Sequence, residues 1–270
     1  MATDMGYGAP LSSSTGVTDG DYSDLAGAAL VMVTVGVNEK SGGATDRNDP
    51  LGRLRLLDTN AEVYRQVIPL IIAAAPDAVL LVVTDPPDPL AYLTRELAGH
   101  NRVLSTGTLL DSLRFRVHLG RKLKVAPLTI EAQVLGEHGT SQIFHWSGAR
   151  VAGVPISDAL EQCGLQHDDF RATIENEVRY ANITIIEGIG ASQYGIGMVC
   201  ARIAEIVLRD ERAVVPMGVY HSKLGVTFSL PSVVGREGCV QVLGPPLSND
   251  ERVGLNKCIE TLRVAQERIR

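Results

Sequence analysis

The sequence predicts an α/β protein: a doubly wound parallel sheet followed by an α+β half. Residues 30–35 (LVMVTV) and 78–84 (AVLLVVT) are continuous apolar runs without alternation, as strands buried on both faces of a parallel sheet require. Helical periodicity separates them and recurs after them, so the early element order is βαβαβα. Past residue 140 the texture changes to short β pieces and longer helices, which sets the expected boundary between a first domain at 1–140 and a second at 141–270.

In chain order, residues 1–20 are Gly/Ser-rich and acidic and read as loop, and residues 24–29 suit a short helix. The strand at 30–35 stops at Gly36, and residues 37–52 form a polar, glycine-rich loop of the length at which loops become lids or insertions. Leu54, Leu57, Ala61, Tyr64, Ile68 and Ile71 recur at helical spacing up to Pro76. Asp85-Pro86-Pro87-Asp88 closes the second strand, 90–98 is helix, 103–105 is a third short strand, and Thr106-Gly107-Thr108 opens the next helix. Residues 134–141 (VLGEHGTS) read as a strand ending in a glycine-flanked histidine. Beyond lie antiparallel pieces at 142–149 and 151–154, helices at 157–180 and 193–210, and a strand candidate at 183–186. A meander follows at 214–219, 226–230, 232–235 and 240–243. The last helix begins at Ser248, whose Ser-x-x-Glu pattern with Glu251 is a capping box; Leu255, Ile259, Leu262 and Ile269 form its apolar stripe.

Composition narrows the function classes. A formal net charge of −6 over 270 residues leaves no basic footprint for nucleic acid. No segment reaches the roughly 18 apolar residues of a membrane span, and the N-terminus lacks the basic and apolar regions of a secretory signal. Cys163, Cys200, Cys239 and Cys258 lie far apart, without metal-ligand spacing, as expected of free thiols in a cytoplasmic protein.

The chemistry concentrates in two segments. Asp111 and Arg114 are three residues apart, so a helix sets them on one face. With His138 they supply a carboxylate, a guanidinium and an imidazole able to converge on a small ligand, which we read as a 2-oxo or 2-hydroxy acid. The segment 183–190 (ITIIEGIG) imitates a strand–GxG–helix phosphate cradle, but Gln193 stands where a third glycine belongs, so a helix start is the better account.

With VLGEHGTSQ, STGTLLDSLRFR, VVTDPPDPLAYLT and YGIGMVCARIAEIVLRDERAVVP, the chain resembles the NAD-dependent lactate/malate dehydrogenase family, closest to the lactate branch, over nearly its whole length. The resemblance implies a Rossmann-like first domain, a substrate domain, and hydride transfer between NAD and a 2-hydroxy/2-oxo acid in a cytoplasmic homo-oligomer, dimer or tetramer. It makes His138 the proton donor and acceptor, and Asp111 the carboxylate that orients it. Arg114 becomes the bidentate grip on the substrate carboxylate. Arg53 matches the loop arginine that polarises the substrate carbonyl, with Arg47 as a competitor, and Lys40 the position that selects the substrate side chain. Asp85 stands where the family has an asparagine touching nicotinamide and substrate; a carboxylate accepts but cannot donate. Ser192 stands in place of a threonine near the substrate, and Gly36, Val37, Thr84 and Thr106 match the lining of the nicotinamide half of the cofactor site. Arg116 fits a sugar-phosphate effector site, but Glu131 replaces its histidine. No glycine-rich dinucleotide turn precedes Leu30, so the sheet is expected to be truncated and dinucleotide binding weak. A catalytically silent paralogue acting as a subunit or binding protein is the alternative that this departure raises.

Overall fold

The computed structural model describes residues 2–11, 16–40, 42–49, 52–165 and 168–270, with 52, 53, 168 and 169 described by backbone alone. Helix α1 (Ala2–Gly8) leads to strand β1 (Leu30–Val33), then α2 (Leu57–Ala74), β2 (Val79–Val82), α3 (Pro87–Ala98), β3 (Val103–Ser105) and α4 (Leu109–Leu123). Short strands β4 (Ile130–Glu131), β5 (Val134–Leu135), β6 (Ile143–Phe144), β7 (Arg150–Val151) and β8 (Val154–Pro155) follow. Helices α5 (Ile156–Gln162), α6 (Asp168–Arg179), α7 (Ala181–Ile189) and α8 (Tyr194–Leu208) precede β9 (Ala213–His221), β10 (Val226–Gly235), β11 (Gly238–Val242) and α9 (Asn249–Arg268).

The main sheet has the order β1-β2-β3-β9-β10-β11. Its first three strands are parallel, with Leu30 opposite Val79 and Leu80 opposite Val103. The run at 30–35, expected to be buried on both faces, is not: β1 is an edge strand that buries Val31 and Val33 and leaves Met32 exposed. The unbroken apolar run of β2 is explained by what each face meets. Leu80 and Val82 pack with Tyr64 and Ile68 of α2 and Leu90 of α3, while Val79 and Leu81 meet Ile203 and Val207 of α8. The meander of the second half extends this sheet: β9 joins β3 antiparallel through Gly218 opposite Ser105. The sheet therefore runs across residue 140, and both halves of the chain contribute strands to it. A separate core lies under α4, where Phe115 meets Trp146 edge-on at 4.7 Å and is packed with Phe144, Leu160 and Ile174.

Several sequence expectations need correction. Residues 2–8, read as loop, are helical, and 24–29 contains only the end of a 3-10 turn, Tyr22–Leu25. The helix expected at 157–180 is two helices, α5 and α6, with Gly164 at positive φ between them. The strand candidate at 183–186 is part of helix α7: Asn182, Ile183 and Ile186 are buried, a helical spacing that places one face inward and overrides the β preference of the isoleucines. The strands expected at 226–230 and 232–235 are one strand, β10. Pro231 lies opposite Pro216 and its carbonyl accepts from Leu243, so neither ring interrupts a hydrogen bond between β9 and β10.

The capping box of α9 is present. Glu251 N–H donates to Ser248 Oγ at 3.3 Å, and Ser248 N–H to Glu251 Oε2 at 2.8 Å. Glu251 is buried and also accepts from Ser147 N–H at 2.9 Å and Ser147 Oγ, so it ties α9 to the loop after β6. We predict that Ser248→Ala costs about 1 kcal/mol of unfolding free energy. Glu251→Ala should cost clearly more, because it orphans the Ser147 donors too. Urea denaturation of both variants checks the order; equal losses would show that the Ser147 contacts are idle.

Candidate active site

The site forms where the loop after β5 crosses the C-terminal ends of β1, β2 and β3. Its histidine is held from three directions. Gly136 pairs with Ser229 of β10 through two backbone hydrogen bonds of 2.9 and 2.8 Å. Gly136 has φ +84°, and a Cβ there would lie 2.8 Å from Cys258 Sγ of α9, so this turn requires glycine. His138 N–H donates to Asp88 Oδ2 at 2.7 Å.

Helix α4 brings the other two groups. Ser112 Oγ donates to the Thr108 carbonyl at 2.8 Å and accepts from Val134 N–H at 2.8 Å, and Thr108 Oγ1 donates to the Val134 carbonyl at 2.5 Å. These bonds fix the helix against β5, so Asp111 and His138 have little freedom relative to one another. Asp111 Oδ2 lies 2.5 Å from His138 Nδ1, and Arg114 donates to Asp111 Oδ1 at 3.0 Å. Asp111 is 1% exposed. One buried carboxylate thus spans imidazole and guanidinium. The other ring nitrogen, Nε2, lies 3.8 Å from Asp85 Oδ1.

His138 and Arg114 line a cavity of about 180 Å³, together with the expected Gly36, Val37, Thr84, Asp85, Thr106 and Ser192. Lys40 is exposed and is not among the lining residues. The Arg53 side chain lies outside the described residues. Arg47, its competitor, bonds Glu187 at 2.6 Å and Thr184 at 3.0 Å on the surface. Arg116 donates to the Ala132 carbonyl at 2.9 Å.

Two family models match the chain. The first, lactate/malate dehydrogenase, NAD binding domain, covers residues 2–105; the second, lactate/malate dehydrogenase, alpha/beta C-terminal domain, covers residues 108–269. The chain belongs to the lactate/malate dehydrogenase family. The L-lactate dehydrogenase of Deinococcus radiodurans is 42% identical over 263 residues, 97% of this chain and 84% of that protein. That of Chloroherpeton thalassium is 38% identical, covering 98% and 85%. Among solved structures, the minor L-lactate dehydrogenase of Enterococcus mundtii superposes with a TM-score of 0.89 at 31% identity, over 100% of this chain and 85% of that one. The malate dehydrogenase of Cryptosporidium parvum superposes with 0.90 at 26% identity, over 99% and 86%. The chain is an oxidoreductase of this family, with NAD as its cofactor.

The residues present fit the nicotinamide end of that cofactor. Gly36 has φ +149°, and a Cβ there would lie 2.6 Å from Thr84 Cγ2 and 2.7 Å from Asn60 Oδ1, so the wall beside His138 stays flat. Thr84 Oγ1 donates to the Val35 carbonyl at 2.7 Å, which fixes the turn at Gly36. The volume exceeds by several-fold the roughly 30 Å³ that one water occupies. Before β1, the described residues carry α1 and two 3-10 turns, Ala9–Leu11 and Tyr22–Leu25, not a strand–glycine turn–helix.

Sequence reasoning missed three residues of the site. Asn60, in the first turn of α2, accepts from Val37 N–H at 2.7 Å and donates to the Asp85 carbonyl at 2.7 Å, joining the two loops that line the cavity. Asn182 lines the cavity from α7, hidden by the strand reading. The sequence presents Asp88 only as part of a strand stop; the signal it offers is a second acid between prolines, followed by an apolar helix. It is fully buried and accepts from Ser105 Oγ at 2.7 Å as well as from His138 N–H.

Burial pushes the Asp88 carboxyl up to about 6, against the lowering effect of its hydrogen bonds from His138 and Ser105. A carboxyl raised above its unfolded value favours the folded state most below that value, 3.8, and loses this contribution as pH rises through about 6. A shift of this size corresponds to a difference on the order of 3 kcal/mol. We predict that the stability of Asp88→Asn relative to the parent chain rises by this order between pH 4 and pH 7, by denaturation at each pH. A difference independent of pH would show that Asp88 is not buried as an acid.

Proposed function

We propose that this chain is an L-lactate-type dehydrogenase that interconverts a 2-oxo acid and its 2-hydroxy acid, with His138 as proton donor and acceptor. The 2.5 Å contact of Asp111 with His138 Nδ1 carries this reading, because it leaves Nε2 to the cavity that Arg114 also lines. The relatives' names, L-lactate dehydrogenases, support the substrate class.

When bound, the dinucleotide supplies a hydride to C2 of the 2-oxo acid, or accepts it in the reverse direction. The chain's own residues do the rest. Arg114 holds the substrate carboxylate; its planar fork suits two parallel hydrogen bonds. His138 passes the Nε2 proton to the carbonyl oxygen, completing the 2-hydroxy acid, and takes it back in reverse. Asp111 fixes the ring and balances the imidazolium. Gly36, Val37, Thr84, Asp85 and Thr106 form the wall for the nicotinamide half, and Ser192 offers a hydroxyl to the substrate. Arg53 polarises the carbonyl from the loop, and Lys40 belongs to the same loop. Asp85 sets a second carboxylate beside the reacting oxygen, where it opposes an anionic substrate.

The boundary near 140 separates cofactor and substrate roles on this reading. β1 is an edge strand, and Tyr194, Met198 and Leu208 of α8 are exposed, which supports a homo-oligomer; free thiols support a cytoplasmic setting. Among the described residues no helix is long and apolar enough to cross a membrane.

In an assay of pyruvate reduction by NADH we expect His138→Ala to lower kcat/KM on the order of 10²- to 10⁴-fold. Arg114→Ala removes two charge-assisted hydrogen bonds of about 1.5–3 kcal/mol each, a loss of comparable order. Asp85→Asn should raise kcat/KM about fivefold or more, since unit charges about 4 Å apart repel by roughly 1 kcal/mol even in water. A His138→Ala variant as active as the parent chain would end this assignment.

A further inference from the structure

Asn182 is 4% exposed, and neither its Nδ2 nor its Oδ1 has a hydrogen-bond partner among the described residues. It lines the same cavity as His138, Arg114 and Ser192. It also lines a second, smaller cavity of about 20 Å³, shared with Glu137 and Arg179. A buried carboxamide left wholly unpaired is costly, because donor and acceptor both lose water and gain nothing. Such a group at a site wall is explained by a partner that arrives with the ligand.

The smaller cavity accounts for only part of this demand. One water needs roughly 10–15 Å³, so the space holds one. Arg179 Nε, likewise buried and unpartnered, also faces this need. A single water there can serve Arg179 and one end of the Asn182 amide. The other end remains for whatever occupies the larger cavity.

The charges of the larger cavity limit what that is. Its lining holds Glu39 and Asp85 against Arg114 and His138, and Lys40 stands outside it. Arg114 and His138 are taken by the substrate's carboxylate and carbonyl. A second carboxylate on the substrate would face the Asp85 carboxylate, whereas a neutral hydroxyl can both donate to and accept from an amide. We propose that Asn182 is a specificity-determining residue that hydrogen-bonds a neutral polar substituent, a hydroxyl, on C3 of the 2-oxo acid. This rests on the dehydrogenase reading and adds the side-chain class of the substrate.

The test compares the full chain with Asn182→Ala in the NADH-dependent reduction of pyruvate, 3-hydroxypyruvate and oxaloacetate. The parent chain should prefer 3-hydroxypyruvate to oxaloacetate. In Asn182→Ala the ratio of kcat/KM for 3-hydroxypyruvate to that for pyruvate should fall about tenfold. The melting temperature should stay the same or rise, because no protein hydrogen bond is lost. An unchanged ratio overturns the proposal, as does a lower melting temperature with the ratio intact, which would make Asn182 a purely structural anchor for water. If neither protein reduces pyruvate, the dehydrogenase reading fails for this chain, and ligand-observed NMR with NAD present decides the Asn182 assignment alone. Weaker 3-hydroxypyruvate binding by the variant at equal pyruvate binding upholds it; equal binding of both acids by the two proteins overturns it.

Discussion

The Asp111 carboxylate is the contact on which the site depends. It is buried, it touches His138 Nδ1, and it accepts from Arg114. An uncompensated carboxylate at this depth would be expensive, so its two cationic or donating partners are as much a condition of the fold as a device of chemistry. The scaffold around it is correspondingly stiff. Ser112 and Thr108 lock α4 to β5, Ser229 and Cys258 hold the turn at Gly136, and Asp88 fixes the backbone of His138. Groups on four elements far apart in sequence converge with their hydrogen bonds largely directed by the protein before any ligand enters, which is the preorganisation that proton transfer needs.

The sheet explains why these elements meet. Parallel strands β1, β2 and β3 end on the same side, so the turns after them, at Gly36, at Asp85 and at Thr106, form one continuous wall. Ligands of open α/β sheets bind at this end. Strand β9 then carries the second half of the chain into the same sheet, and Gly218 lets it approach closely: a Cβ there would stand 2.5 Å from Asp88 Oδ1 and 2.6 Å from Ser105 Cβ. The acid that anchors His138 is therefore packed against a strand of the other half.

Much of this was legible in the sequence, for physical reasons. Apolar runs without alternation mark strands covered on both faces, which holds for β2 and β3; β1 lies within its predicted run but, at the sheet edge, buries Val31 and Val33 and leaves Met32 exposed. Asp111 and Arg114 announced a shared helix face through their spacing, and Gly-Glu-His-Gly marked a histidine in a glycine turn. What stayed hidden depends on tertiary contacts. Asn60 and Asp88 are ordinary in their own segments and become important only through partners about 25 and 50 residues away. Residues 183–186 misled because a short isoleucine-rich run suits a strand and a buried helix equally; the helix wins through burial of Asn182, Ile183 and Ile186, and with it Asn182 reaches the cavity. Lys40 was located by counting along a loop, where length does not fix direction.

On the proposed mechanism, Asp111 holds the proton of neutral His138 on Nδ1 and leaves Nε2 to serve the substrate. Nitrogen-15 NMR of the histidine ring, at a pH where the imidazole is neutral, reads this directly. A protonated Nδ1 and an unprotonated Nε2 are expected for His138, with that preference lost in Asp111→Asn. A neutral His138 carrying its proton on Nε2 in the parent chain would contradict it.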